Sequence, residues 1–259
     1  MIEWVRRVVV KSLKYNLGFN SRCKNANLIL CKTEILKNTI PEKYRDKAIL
    51  FTDVAVASLE TKSCAKKTAN GKINYIITGH LDPWRGFDLL IEAFSFAVKV
   101  EPSIHLRIIG DGADWNRLQD LIKSRKLSEH IEMLGKVSMD EYYQEMRESD
   151  VVVNTCLKEG AVTTSFDSMA MGKPLICIDT TGYTRYFSND YALVVPMQER
   201  EALIFSLKEA ILKLTNPMLR TKIGHNSQNA GKLFTWDSRG LEIQNVISDA
   251  YEDSLVIHK

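Results

Sequence analysis

The sequence has little cysteine and proline, and it has no long apolar run. It contains six prolines and five cysteines among 259 residues. The cysteines show no paired spacing, so neither a disulfide framework nor a cysteine metal site is expected, and we interpret them as reduced thiols of a cytosolic protein. The apolar runs are too short to predict a transmembrane span, and basic residues interrupt the N-terminal segment where a signal peptide needs an apolar core.

Several motifs of catalysis and cofactor binding are also absent. There is no Walker loop, no HExxH and no GxSxG, the motifs of P-loop nucleotide binding, zinc-dependent hydrolysis and a serine nucleophile. Gly110 and Gly112 follow a predicted strand, but the third glycine of a dinucleotide fingerprint is missing and Asp111 would repel a pyrophosphate. We therefore expect these glycines to form a tight turn that keeps the floor of a cleft open.

The charge of the chain is distributed unevenly. The formal net charge is +3, but residues 1–72 carry about 15 Lys and Arg against about 6 Asp and Glu. The first part of the chain is therefore near +9 and the rest near −6. This asymmetry suggests that the basic end meets an anionic surface, either a membrane or a nucleic acid.

Residues 2–17 place apolar side chains at helical spacing, with Arg6, Arg7, Lys11 and Lys14 between them. This pattern predicts an amphipathic helix with a basic face. Such a helix either lies on an anionic membrane surface or packs on the protein core with its charges in solvent. Nucleic acid is not expected as the partner, because aromatic residues are not interleaved with the basic ones.

The pattern of predicted elements divides the chain into three segments. Residues 1–60 contain a helix, the buried strand NLILC and a short helix, and the lysine-rich stretch 60–72 has the composition of a linker. After this stretch, strands alternate with helices of about ten to fifteen residues, which is typical of a doubly wound parallel α/β sheet. We expect a partial N-terminal segment at 1–60, a Rossmann-like domain at 61–236 and a C-terminal helix at 237–259.

The stretch from Asn154 to Pro174 connects two buried strands of this predicted sheet. It passes through a loop with Glu159 and Gly160 and enters a short helix at Thr163. The loop and the start of the helix are expected at the carboxyl edge of the sheet, where open α/β sheets bind ligands. The first turn of a helix has unpaired N–H groups and a partial positive charge, which suit a phosphate.

The two carboxylates of this stretch have two interpretations. Glu159 and Asp167 either bind a ligand at the sheet edge or have local roles. In the local interpretation, Glu159 is a solvated loop residue, and Asp167 completes a capping box with Thr164.

The loop HLDPWRG, residues 80–86, follows the first strand of the alternating region. His80 and Arg85 are two potentially cationic side chains at the carboxyl edge, and such a pair suits a diphosphate, which Arg can bind through two nitrogens. The alternative is a surface loop in which Arg85 pairs with Asp82 or Asp88.

Five short sequence motifs follow one another along the chain in a characteristic order. They are Gly79-His80 with Arg85-Gly86, IIGDG at 108–112, MLGKV at 133–137, Glu159 with Asp167 leading into MAMGKP at 169–174, and Thr235-Trp236. In this order and spacing, residues 73–236 resemble the C-terminal, donor-binding domain of retaining glycosyltransferases of the GT-B fold, family 4 (glycosyl transferases group 1). Residues 1–60 resemble only the tail of the N-terminal, acceptor-binding domain of that family.

The resemblance implies a role for each motif. His80 and Arg85 would neutralise the donor diphosphate, and Arg85 and Glu159 are the implied catalytic residues. The turn from Gly135 to Val137 would face the base, and Asp167 would accept hydrogen bonds from the ribose hydroxyls. The implied donor-binding residues are Gly79, His80, Gly110, Gly135, Val137, Gly160, Ala161, Val162, Thr163 and Asp167. His80 stands where the family has Arg, and Asp167 where it has Glu.

The resemblance also implies an activity. The chain would transfer a sugar, of the hexosyl type, from a nucleotide-diphosphate sugar to a lipid-linked or saccharide acceptor with retention, in surface polysaccharide biosynthesis. No cofactor and no metal are expected, because side-chain cations and a helix dipole stabilise the leaving diphosphate. The expected location is cytoplasmic, with peripheral attachment to the inner face of the membrane through the basic N-terminal helix.

Two alternatives to a self-sufficient transferase remain open from the sequence. One is a truncated or non-catalytic nucleotide-sugar-binding module that needs a second chain to supply the acceptor domain. The other is a different GT-B enzyme, such as a nucleotide-sugar epimerase.

Overall fold

The computed structural model describes residues 17–56, 71–158, 163–180 and 186–257. The predicted helix at 2–17 and most of the predicted linker at 60–72 lie outside the described residues. The chain forms two compact units, the first made of Met1–Asp53 with Asp237–Lys259 and the second of Val54–Trp236. The division into three segments expected from the sequence stays a prediction.

The elements of secondary structure are named in chain order. The first five are α1 (Leu17–Asn25), β1 (Ile29–Cys31), α2 (Glu34–Thr39), β2 (Ala48–Leu50) and β3 (Ile73–Thr78). They are followed by α3 (Phe87–Ala97), β4 (Ile104–Ile109), α4 (Trp115–Ser124), β5 (Ile131–Gly135), α5 (Met139–Glu148), β6 (Val151–Asn154), α6 (Thr163–Ala170), β7 (Leu175–Asp179) and β8 (Ala192–Pro196). The chain then continues with α7 (Arg200–Lys213), α8 (Pro217–Gly231) and α9 (Trp236–Ile257). Short 3₁₀ helices occupy Glu42–Lys47, Pro83–Arg85 and Lys232–Phe234.

The second unit is built on a six-stranded sheet in the order β5-β4-β3-β6-β7-β8. Every neighbouring pair of strands in it is parallel. The prediction of a doubly wound parallel α/β sheet is therefore confirmed, and the strand order is that of the Rossmann fold.

Both faces of this sheet are covered, which explains the continuous apolar runs in its strands. Successive side chains of a strand point to opposite faces. In β3, Tyr75 and Ile77 belong to one core cluster, with Leu90 of α3, and Ile76 belongs to another, with Phe166 of α6. Helices α3, α4 and α7 cover the first face, and helices α5 and α6 cover the second.

The strand order creates a switch point between β3 and β6. From β3 the chain continues through α3 to β4 on one side, and from β6 it continues through α6 to β7 on the other side. At such a point the two connections diverge and leave a crevice outside the carboxyl ends of the two strands, which is where ligands bind in open α/β sheets.

The first unit contains a parallel pair of strands, β1 and β2. Cys31 and Ala48 lie on the covered face of this pair and belong to a small core cluster. On the other face, Leu30 and Ile49 are paired across the strands and are 45% and 37% exposed. One face of the two-stranded sheet therefore presents neighbouring apolar side chains to solvent.

The sequence predicts free thiols and no transmembrane span, and both features can be compared with the described residues. The four described cysteines, Cys23, Cys31, Cys156 and Cys177, are buried thiols, and Cys64 lies outside the described residues. Among the described helices, none combines the length and the apolar character needed to cross a bilayer.

Candidate functional site

The loops that follow β3 and β6 are joined by hydrogen bonds at the switch point. The Thr155 hydroxyl donates to the backbone oxygen of Arg85 over 2.9 Å. The backbone N–H of Leu157 donates to the backbone oxygen of Trp84 over 3.0 Å. The loop that carries Arg85 is therefore fixed in position by the strand on the other side of the crevice.

Gly86 allows the two loops to approach this closely. Its φ is +71°, in the left-handed region, and a Cβ atom there would lie 2.5 Å from the backbone oxygen of Thr155. No side chain fits in that space without moving the backbone, so glycine is required both for the conformation and for the close approach.

The guanidinium of Arg85 lies against the end of β3. Its Cζ atom is 4.5 Å from the centroid of the Trp84 ring, and its Nη1 atom is 3.8 Å from the place where a Cβ on Gly79 would stand. This stacking is a cation–π contact that holds the cation in place beside the strand end. Asp88, one of the two partners considered for Arg85 from the sequence, forms ion pairs with Arg200 at 2.9 Å and Arg117 at 3.9 Å.

One of the two predicted turn glycines, Gly110, packs against the end of β3. A Cβ on Gly110 would overlap the backbone oxygen of Gly79, so the floor of the crevice is backbone without side chains at this point. The Gly110 N–H donates to the oxygen of Gly135 over 2.8 Å, which links the ends of β4 and β5. His80 is exposed, and its Nδ1 atom is hydrogen-bonded to the backbone oxygen of Asp111.

The first turn of α6 is tied to both strands of the switch point. The hydroxyls of Thr164 and Thr78, at the end of β3, are 2.8 Å apart and hydrogen-bonded. The amide of Asn154, at the end of β6, donates to the Ser165 hydroxyl over 2.9 Å. The start of this helix therefore lies at the carboxyl edge, where its N–H groups and partial positive charge favour an anion.

Asp167 does not complete a capping box, so that interpretation is wrong. Helix α6 begins at Thr163, which places Thr164 inside the helix, and the Thr164 hydroxyl is bonded to Thr78. The carboxylate of Asp167 instead accepts a hydrogen bond from the Tyr142 hydroxyl of α5, with 2.6 Å between Oη and Oδ2.

The Tyr142–Asp167 pair lies in a largely dehydrated environment. Asp167 is 9% exposed, and burial raises the pKa of its carboxyl group while the hydrogen bond from Tyr142 lowers it. Burial and the neighbouring Asp167 raise the pKa of the Tyr142 hydroxyl, and a hydrogen bond with Thr164 lowers it. The net shift is upward, so the hydroxyl remains a proton donor near neutral pH.

The turn after β5 carries the residues predicted to face the base. Gly135 has a φ of +74° and lies beside Trp115, whose Cη2 atom would be 3.8 Å from a Cβ on that glycine. Val137 is partly buried in the core cluster that also contains Phe166. The half-buried indole and the glycine provide a flat apolar surface at this end of the edge.

The structure brings part of the predicted set into contact. Gly79 lies beside both Gly110 and Arg85, and Gly135 is hydrogen-bonded to Gly110. Thr163 and Asp167 lie on α6, whose first turn is bonded to the ends of β3 and β6. The remaining members, Glu159, Gly160, Ala161 and Val162, lie outside the described residues. The roles assigned to all these residues stay predictions.

Three polar residues of this edge were not identified from the sequence. Asn154 and Thr155 follow the buried run of β6 directly, and this position at a strand end was a signal that could have revealed them. Tyr142 had no such signal, because its contact with Asp167 depends on how two helices pack on the sheet. Within the described residues, no group of His, Cys, Asp and Glu side chains is arranged to hold a metal ion.

Comparison with known sequences connects this geometry to a family. The sequence model described as "Glycosyl transferases group 1" matches residues 60–230. An uncharacterized glycosyltransferase of Methanocaldococcus jannaschii is 26% identical over 245 residues, which cover 93% of this chain and 65% of that protein. The phosphatidylinositol N-acetylglucosaminyltransferase GPI3 subunit of Saccharomyces cerevisiae is 22% identical over 191 residues, which cover 73% of this chain and 42% of that protein.

Solved structures share the fold. The pneumococcal O-GlcNAc transferase GtfA, in complex with UDP and GlcNAc, superposes with a TM-score of 0.75 at 15% identity, over 92% of this chain and 48% of that chain. The Anabaena protein HepE, in complex with UDP and glucose, gives a TM-score of 0.74 at 15% identity, over 92% of this chain and 67% of that chain. The expected GT-B type of the doubly wound sheet is confirmed. The chain spans 65% or less of the length of the two sequence relatives.

Proposed function

Because the chain belongs to the glycosyl transferases group 1 family, we propose that it transfers a sugar from a nucleoside-diphosphate sugar to an acceptor hydroxyl with retention of configuration, as a family 4 enzyme. The observation that carries this proposal is the construction of the crevice edge. Arg85 is held beside Gly79 on one side of the switch point, and the first turn of α6 is bonded to both strand ends.

The chemistry of the donor fits these groups. When the bond between the sugar and the diphosphate breaks, negative charge develops on the departing phosphate oxygen. A fixed guanidinium and the N-terminal turn of a helix stabilise that charge without reorganising during the reaction. Arg85 fills the first role and α6 the second, with Glu159 and the N–H groups of residues 160–162 holding the sugar and the phosphates. The proposed reaction needs no metal ion.

The nucleoside fits the other end of the edge. Its base would lie at the turn from Gly135 to Val137, beside Trp115, and its ribose would be bound by Asp167. Proteins that share the fold were solved with UDP, which makes UDP-sugars the first donors to test. For the whole protein we propose a hexosyl transfer to a lipid-linked or saccharide acceptor in surface polysaccharide synthesis, at the cytoplasmic face of a membrane.

The test is a panel of nucleoside-diphosphate sugars, with binding and slow donor hydrolysis measured on the same purified chain. We expect binding of at least one donor and release of its nucleoside diphosphate. Glu159→Ala should abolish turnover, and Lys158→Ala, which changes the neighbouring exposed side chain, should retain it. Equal turnover of Glu159→Ala and the unchanged chain would contradict the site.

A second candidate is a nucleotide-sugar-binding module that acts only with a second chain. The exposed pair Leu30 and Ile49 favours it, because an apolar face of a two-stranded sheet is a surface that another layer or strand can cover. One relative is the GPI3 subunit of phosphatidylinositol N-acetylglucosaminyltransferase, and a GtfA/B complex is among the solved structures that share the fold. Binding of a donor without hydrolysis or transfer, with any acceptor tried, would favour this candidate.

A further inference from the structure

The hydroxyl of Tyr142 and the carboxylate of Asp167 form a pair in which only some of the acceptor positions are used. The Thr164 hydroxyl interacts with the phenolic oxygen of Tyr142, which leaves that oxygen one further acceptor position. Tyr142 donates to Oδ2 over 2.6 Å. In the described part of the chain, no other donor bonds to the Asp167 side chain and no cation pairs with it. An ionised carboxylate has about four positions for accepting hydrogen bonds, so most of its capacity is unused.

The second carboxylate oxygen of Asp167, Oδ1, has no hydrogen-bond partner in the described part of the chain. It is not among the fully buried polar atoms that lack a partner there, so a small part of it reaches solvent in a residue that is 9% exposed. A carboxylate in such a site is costly unless further donors reach it. A ligand that brings hydroxyl donors, and no second anion, would remove that cost.

We propose that Tyr142 is a positioning and specificity residue for the ribose of the donor nucleotide. The proposal rests on the function proposed above and adds to it a residue outside the motifs of the family. The O–H of Tyr142 fixes Oδ2, so that Oδ1 of Asp167 accepts one ribose hydroxyl and the phenolic oxygen of Tyr142 accepts the adjacent one.

The pair also explains how an aspartate serves where the family has the longer glutamate. A glutamate reaches further into the crevice and can offer both of its oxygens. Here the shorter carboxylate offers one oxygen, and the tyrosine reaching across from α5 offers the second acceptor immediately beside it. Oη is in hydrogen-bonding contact with Oδ2, and Oδ1 belongs to the same carboxylate. The two acceptors, Oη and Oδ1, are therefore close together, as the two hydroxyls of a ribose are.

This arrangement predicts a preference among donors. A nucleotide with both ribose hydroxyls satisfies the pair, whereas a 2′-deoxynucleotide leaves one acceptor unused in a site that excludes water. The chain should therefore select ribonucleoside diphosphates, and dTDP should be a poor ligand.

The experiment compares UDP, 2′-deoxy-UDP and 3′-deoxy-UDP by calorimetry. With the unchanged chain, each missing hydroxyl should weaken binding roughly threefold to tenfold. In Tyr142→Phe, the penalty for one of the two deoxy analogues should vanish, and the other should remain. Tyr143→Phe, which removes the neighbouring phenol of the same helix, should keep both penalties, and Asp167→Asn should reduce the penalty that Tyr142→Phe leaves.

The outcomes separate this inference from the proposed function. If UDP binds and Tyr142→Phe keeps both penalties unchanged, the role of Tyr142 is overturned and the proposed function stands. If none of UDP, GDP, ADP and CDP binds the unchanged chain, both are overturned. If Tyr142→Phe fails to fold, Asp167→Asn decides: retention of both deoxy penalties in that variant overturns the inference.

Discussion

Gly86 lies so close to Thr155 that a Cβ atom on the glycine would be 2.5 Å from the threonine backbone oxygen. The same threonine donates its hydroxyl to the backbone oxygen of Arg85, the residue before the glycine. The two loops of the switch point are thus joined by one steric and one polar contact, and both contacts determine where Arg85 lies.

Replacing Gly86 by alanine should destabilise the fold. The left-handed backbone costs a non-glycine residue about 1–2 kcal/mol, and the added methyl must displace the Thr155 loop, so we expect a total of about 2–4 kcal/mol. Denaturant unfolding measures the change. Gly240→Ala is the matched control, because a Cβ there has no neighbour within 4 Å in a helix and the change should stabilise by about 0.5–1 kcal/mol. Similar unfolding midpoints for the two variants would refute the steric argument.

Thr155→Val should weaken the binding of UDP without unfolding the chain. The change keeps the shape but leaves the oxygen of Arg85 without its donor, which costs about 1–2 kcal/mol and loosens the loop. Thr180→Val is the control, since Thr180 makes a hydrogen bond of the same length, 2.9 Å, to the Cys156 oxygen and not to Arg85. We expect similar losses of thermal stability in the two variants and a larger loss of UDP affinity in Thr155→Val. Equal affinities would show that the contact does not position Arg85.

Arg85→Lys should reduce the affinity for UDP about tenfold, although it keeps the positive charge. Lysine has neither the planar fork that binds two phosphate oxygens nor the flat group that stacks on Trp84. Arg117→Lys provides the comparison, because that arginine pairs with Asp114 and Asp88 and should tolerate the change. Calorimetry with UDP measures both variants, and unchanged binding by Arg85→Lys would remove this residue from the phosphate site.

Asp167→Asn should make the ligand-free chain more stable, and more so at neutral than at acidic pH. Burial raises the pKa of this carboxyl in the folded state, so the folded chain holds its proton more tightly than the unfolded chain. The contribution of Asp167 to the free energy of unfolding is fully present below its pKa in the unfolded chain, about 3.9. This contribution is lost as the pH rises through the raised pKa of the folded chain.

The asparagine amide has no charge to lose at neutral pH, so the free energy of unfolding should rise there by about 1 kcal/mol. For a chain of this size, that corresponds to a rise in melting temperature of about 2–4 °C. At about pH 3 the gain should shrink, because the carboxyl is then largely protonated in both states, roughly one pH unit below the unfolded pKa. An equal gain at both pH values would mean that the charge of Asp167 is not its cause. The variant should bind UDP less well, so stability and binding would change in opposite directions.

Neutralising the basic face predicted at 2–17 should release the chain from anionic vesicles. The variant changes four residues to glutamine, Arg6, Arg7, Lys11 and Lys14, and each basic side chain near an anionic surface contributes about 1 kcal/mol. The control makes the same change in net charge elsewhere, at Lys62, Lys66, Lys67 and Lys72. Co-sedimentation at low and high salt measures binding. Loss of binding in both variants alike would indicate net charge as the cause, and retention in both would exclude the basic face.

Most of the fold of the second unit could be predicted from the sequence. Its strands are buried on both faces, so they appear as short apolar runs, and the helices between them have one apolar face. Apolar spacing in the sequence predicts a helix from about Met139 to Glu148 and a strand at 192–196, and both have those bounds. The same spacing predicts a helix from Phe87 to about Val100, but the helix ends at Ala97, because apolar spacing does not define the last turn of a helix.

The site could be predicted only in part. Arg85 follows a strand end, and position along the chain is enough to place it at the edge of a parallel sheet. The partner of Asp167 could not be predicted, since Tyr142 lies 25 positions away and on another helix. Local spacing even suggested the wrong partner, Thr164, whose hydroxyl bonds to Thr78 across the crevice.

The pairing of β3 with β6 has a consequence for how the chain responds to a ligand. Among the residues that the structure describes, three pairs, from Tyr75 opposite Val151 to Ile77 opposite Val153, form the ladder between the two three-stranded halves of the sheet. A ligand that binds to the ends of both β3 and β6 links these two halves and stabilises their pairing. Amide hydrogen exchange along this seam should therefore slow on binding more than exchange at the outer strands, and so report occupancy of the crevice without any measurement of turnover.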